Sequence, residues 1–133
     1  MRGLNGFAWP ATWMGMHRRG LTAGEKRAYL FPYDSWANRR AVSEFVRDIP
    51  LHPSHPSWHT LATVERGLVQ LRRKPAMILW GGRDFCFHDR FLARWRELWP
   101  EAEVERFEDV GHYILEDARD QVVPRITRFL TAR

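Results

Sequence analysis

The run Ala76-Met77-Ile78-Leu79-Trp80, closed by Gly81-Gly82, constrains this chain more than any other stretch. Its apolar residues do not alternate with polar ones, and the glycines end it before a helix could gain length. It therefore reads as a strand buried on both faces, the kind that parallel sheets use. A parallel partner needs a crossover connection. The sequence supplies one: a polar loop at Arg83–His88, a helical stretch at Asp89–Leu98 ended by Trp99-Pro100, and a second strand at Val104–Phe107. A last helix follows from about Asp117 to Thr131. The fold class expected is α/β, with a right-handed β-α-β unit and one further helix.

The chain before Pro75 has a different texture, helical to about Arg73. Met1–Trp13 shows no clear period and reads as a loop, and Met14–Arg19 as a helical turn ending at Gly20. Thr22 is a candidate N-cap for a helix over Ala23–Leu30, with Glu25 three residues on as in a capping box and Pro32 as its stop. Ser35 is a second candidate cap, for a helix over Trp36–Arg47 that stops before Pro50. After a loop at His52–Ser57, a third helix is expected over Trp58–Leu71, where Leu61, Val64, Leu68 and Leu71 recur at helical spacing. Arg72-Arg73-Lys74 suits its C-terminus.

Open parallel sheets carry their chemistry at the carboxyl ends of the strands. Here those ends present Gly81-Gly82-Arg83-Asp84 and Asp109-Val110-Gly111-His112. Adjacent parallel strands bring the two loops side by side. Asp84 can then accept from a ring nitrogen of His112, fixing its tautomer and stabilising the imidazolium. That is the acid-and-base half of a catalytic triad, in the chain order acid then histidine. Taken singly, Asp84 is also a common turn residue and His112 a common loop histidine.

Length and composition narrow the remaining options. With 133 residues the chain is one domain at most. Seven Trp and eight Phe suggest wide apolar surfaces, and the single cysteine, Cys86, allows no intrachain disulfide and fits a reducing, cytoplasmic setting. No apolar run approaches a membrane span, and no signal peptide is expected. The net charge of +5 is spread over arginines interspersed with acids, so no nucleic-acid partner is expected. His52, His55 and His59 could be imagined with His88 as a metal site, but Pro53 and Pro56 break any regular face and no carboxylate joins them. No metal or other cofactor is expected.

Ile78-Leu79-Trp80-Gly81-Gly82-Arg83-Asp84, Trp99-Pro100 and Gly111-His112-Tyr113 with Glu116-Asp117 resemble the C-terminal part of the α/β-hydrolase superfamily. Tyr29-Leu30-Phe31-Pro32-Tyr33, Arg39 and 45–50 are similar to the lid of its haloalkane dehalogenase and epoxide hydrolase branch. Residues 33–39, with Asp84-Phe85-Cys86-Phe87, look closest to the β-lactone decarboxylases of bacterial olefin biosynthesis. The resemblance implies a helical lid over 1–57 and the C-terminal part of the core over 58–133. It implies Asp84 as triad acid and His112 as triad base, serving an aspartate nucleophile on an elbow turn that this chain does not contain. Gly20-Leu21-Thr22-Ala23-Gly24 matches an elbow formally, but polar Met16–Arg19 precedes it and it reads as a helix start.

The resemblance further implies an apolar small-molecule substrate, lined by Trp36, Phe45, Phe85 and Phe87, with Cys86 a buried pocket residue. The missing N-terminal half of the fold is then the required partner, and the chain alone is expected to be inactive. The competing expectation is a non-catalytic interaction module built on the same remnant.

Overall fold

The structure, a computed structural model, describes residues 6–132. Its centre is a parallel pair, β1 (Met77–Gly81) and β2 (Glu103–Phe107), in register from Met77 opposite Glu103 to Gly81 opposite Phe107. The crossover is α5 (Asp89–Leu98), preceded in the chain by α1 (Ala8–Met14), α2 (Ala23–Leu30), α3 (Arg40–Arg47) and α4 (Trp58–Gly67). After β2 come a one-turn α6 (Ile114–Asp117) and α7 (Arg119–Thr131). The β-α-β-α order expected from the apolar run is the one observed.

Several boundaries differ from expectation for physical reasons. The stretch read as a loop carries α1, because Pro10 falls in the first helical turn, where its missing N–H costs nothing; residues 1–5 of that stretch lie outside the described residues. The helix expected from Trp36 starts at Arg40. Asp34 and Ser35 divert the chain into a turn first, Ser35 Oγ accepting from Asn38 N–H and Asp34 from the Asn38 amide. Trp58–Leu71 is α4 followed by a 3-10 turn over Leu68–Leu71. The last helix is broken at Ala118, whose backbone leaves the helical region (φ −133°, ψ 33°).

The core is small. Phe107, Val110, Ala118 and Val122 are buried together, with Leu79, Ile114 and Ile126 packed around them. β1 was expected to be buried on both faces, yet only Gly81 is, and Met77–Trp80 are half-buried. The reason is topological: among the described residues the sheet has two strands, so one edge of β1 is unpaired. An apolar hollow of about 370 Å³ beside it is lined by Ile78, Trp80, Trp95 and Trp99 among others. On α4, Trp58, Leu61 and Val64 form a helical stripe that is exposed.

The total accessible surface makes the same point. It is 9791 Å² for 15.8 kDa, where a compact protein of that mass exposes about 7,300 Å².

Candidate active site

The two loops at the carboxyl ends of β1 and β2 are laced together by main chain. Gly82 N–H donates to Phe107 carbonyl at 2.7 Å, and Arg83 N–H to Val110 carbonyl at 2.8 Å. Gly81 permits this closeness: a Cβ there would lie 2.3 Å from Gly111 carbonyl oxygen and 2.7 Å from that of Val110. Gly111 has the same function against the N-terminal segment, since its Cβ would meet the Gly15 carbonyl oxygen at 2.6 Å. Gly81, at the end of β1, and Gly111, before His112, are thus required where two backbones touch.

Across this seam His112 Nδ1 lies 2.9 Å from Asp84 Oδ2 and 3.0 Å from Oδ1. The Asp84 side chain is 10% exposed and that of His112 29%. Asp84 is fixed independently of the histidine, because Oδ1 also accepts from Cys86 N–H (2.8 Å) and Phe87 N–H (2.9 Å) in the turn that follows. A carboxylate held this way draws the Nδ1 proton toward itself and leaves Nε2 with a free lone pair. The pair has the geometry that a base and its orienter would need.

The rings expected to line the substrate divide into two groups. Phe85 and Phe87 stand 5.7 and 5.5 Å from the His112 ring, centroid to centroid, with Tyr113 at 5.7 Å. Trp36, in the turn before α3, and Phe45, on α3, are exposed. Cys86, expected to be buried, is exposed, because the Asp84-capped turn directs it outward. Partial burial, with Asp84 nearby, pushes its thiol above the ordinary range, so it is not activated as a thiolate.

Thr22, centre of the formal elbow match, is an N-cap: its hydroxyl accepts from Glu25 N–H at 3.2 Å while Glu25 returns to Thr22 N–H at 2.7 Å. His52 and His55 are engaged in turns, with the Ser54 hydroxyl and Arg47 carbonyl respectively. Among the described residues no group of three or more His, Cys, Asp or Glu is arranged to hold a metal ion, and no helix is long and apolar enough to cross a membrane.

One residue of the site was not identified in the sequence. Asp117 is buried (6% exposed) and accepts four main-chain N–H groups. Oδ2 takes Gly111 (2.7 Å) and His17 (2.9 Å), and Oδ1 takes Arg18 (2.9 Å) and Arg19 (3.3 Å). Nearby, Arg18 pairs with Asp109 at 2.6 Å and holds that carboxyl below its usual range. Tyr113 stacks on Tyr29, centroids 5.1 Å apart and planes within 4°.

Comparison with known proteins bears on the fold. A family model described as alpha/beta hydrolase fold matches residues 10–118. A cis-3-alkyl-4-alkyloxetan-2-one decarboxylase of Shewanella oneidensis is 40% identical over 131 residues, and one of Xanthomonas campestris pv. campestris is 43% identical over 130. Each alignment takes in 98% of this chain but only 41% and 43% of the relative, so the chain spans about two fifths of the length of the curated relatives it matches. Among solved structures, haloalkane dehalogenase DbeA from Bradyrhizobium elkani superposes on 99% of the chain and 46% of its own length, with a TM-score of 0.79 and 20% identity. The resemblance to the C-terminal part of such proteins, and the α/β fold class, stand.

Proposed function

The chain belongs to the α/β-hydrolase fold family, and on that premise we propose that Asp84 and His112 are the orienting acid and general base of a covalent mechanism whose nucleophile is supplied by a complementary segment. The observation that carries this reading is the 2.9 Å bond from His112 Nδ1 to a carboxylate that two other N–H groups hold in place. The complementary segment is the N-terminal half of the fold. It covers the open edge of β1 and the apolar faces of α4 and the Trp95–Trp99 hollow. Residues 1–57 serve as the lid and 58–133 as the C-terminal part of the core. Without that partner the chain is inactive. The single exposed cysteine suits a reducing cytoplasm.

The activity of the relatives supports an apolar cis-dialkyl β-lactone as the substrate class. Breaking the ring C4–O1 and C2–C3 bonds releases carbon dioxide and leaves an alkene, with no redox partner and no added water. In the covalent route the nucleophile's carboxylate bonds to C4 as C4–O1 breaks, giving an alkyl ester that fragments at C2–C3 with return of the carboxylate; if water enters instead, His112 Nε2 takes its proton and that ester is hydrolysed to the hydroxy acid. Phe85 and Phe87 beside the histidine favour the apolar, dry outcome. Trp36 and Phe45 complete the lining once the lid is seated.

The test is co-expression of the chain with the part of the Xanthomonas relative that it does not match, followed by an assay on a cis-3,4-dialkyloxetan-2-one. His112→Ala and Asp84→Asn should each lower alkene or hydroxy-acid formation by about 10²-fold or more. Undiminished turnover in either variant would remove the acid–base assignment. Equal turnover by the chain without its complement would remove the dependence on a second segment.

A further inference from the structure

From the four N–H groups gathered by Asp117, we infer that this carboxylate is the positioning residue for His112, and that it couples the root of the lid to the site. The inference rests on the reading of His112 as the base, but its evidence is separate. Gly111, immediately before the histidine, donates to Asp117 Oδ2 at 2.7 Å, and Tyr113, immediately after it, donates to Gly15 carbonyl at 2.8 Å. The same carboxylate holds His17, Arg18 and Arg19, so Gly15–Arg19 and the histidine loop form one hydrogen-bonded unit. The backbone of His112 is thereby fixed on one side by Asp117 and on the other by the Gly15 carbonyl, and Asp117 is itself bonded to a segment about 100 residues distant in sequence.

The chemistry of the clamp is specific. An ionised carboxylate offers lone pairs to all four donors and carries no proton that would face one of them. An amide at the same place would turn an NH₂ group toward two N–H groups, opening half of the clamp. Asp84 would still hold its own turn through Cys86 and Phe87. The histidine, not the acid, would lose its position. Displacement of the lid root on substrate entry would reach His112 by the same bonds.

The experiment uses the 133-residue chain at micromolar concentration and reads hydrogen–deuterium exchange at histidine Cε1 by mass spectrometry, with exposed His52 and His88 as internal references. Asp84→Asn sets the rate of a His112 without its acid. Asp117→Asn should move His112 toward that rate while His52 and His88 stay unchanged, and Asp117→Glu should recover part of the difference. A folded Asp117→Asn chain with the native His112 rate would overturn the inference, leaving Asp117 as a structural clamp only. If the variant does not fold, backbone amide exchange of the unsubstituted chain decides. The peptides holding 15–19 and 108–113 must lose protection together on mild denaturation. Independent opening of the two would overturn the inference. Neither readout needs catalysis, so failure here is distinct from failure of the acid–base assignment.

Discussion

Replacing Gly81 by alanine tests the seam that builds the site. The added Cβ meets Gly111 carbonyl oxygen at 2.3 Å and Val110 carbonyl oxygen at 2.7 Å, both main chain, where ordinary contact begins at 3.4 Å. One loop must therefore retreat by about 1 Å. Overpacking of this kind costs about 1–3 kcal/mol. The retreat also stretches the 2.8 Å bond from Arg83 N–H to Val110 carbonyl, worth about 1 kcal/mol more. A loss of about 3 kcal/mol corresponds to a fall in Tm of roughly 10 °C for a domain of this size. Circular dichroism melts at low concentration measure it. His112, carried on the displaced loop, should at the same time lose its bond to Asp84, seen as a changed Cε1 exchange rate. A Gly81→Ala chain that melts within about 2 °C of the parent and keeps the native His112 rate would refute the close approach on which the site geometry rests.

Other outcomes follow from the same structure. Glu25, held by the Arg19 guanidinium and by Thr22, has its carboxyl lowered from 4.5 to about 2. Its folded value lies below the unfolded one, so its contribution to the start of α2 is complete above about 4.5 and is lost as pH falls toward 2. The Lys26 and Arg27 amide shifts should report that loss over this window, and Glu25→Gln should flatten the profile. On α4, Leu61→Glu with Val64→Lys replaces part of the uncovered apolar stripe. It should reduce self-association of the isolated chain in sedimentation velocity and weaken capture of the complementary segment at least tenfold. Unchanged association would place the docking surface elsewhere.

Much of the fold was legible because its signals are local. The Thr22-x-x-Glu25 box marked the start of α2 to the residue, and the run at Ala76–Trp80 with its two glycines marked β1 to within one. Asp84 and His112 could be paired because strand adjacency fixes which loops meet, whatever their separation in sequence. Asp117 could not. Its partners are main-chain N–H groups of His17–Arg19, which every sequence has and no side-chain pattern announces. The break at Ala118 was hidden for a related reason. No glycine or proline marks it, while Pro124, which looks like a breaker, sits inside α7. The half-exposure of β1 depends on what lies across its open edge, a property of neighbours and not of Ile78 or Trp80 themselves.

The most direct test of the central claim, that this chain holds an acid and a base awaiting a nucleophile from elsewhere, is one turnover measurement in three preparations. The purified chain, the complementary segment of the Xanthomonas relative, and the two co-expressed are each given a cis-3,4-dialkyloxetan-2-one, and alkene, carbon dioxide and hydroxy acid are quantified. The account predicts product only from the co-expressed pair, lost again when His112 is replaced by alanine. Product from the chain alone, or from a pair indifferent to His112, would contradict it.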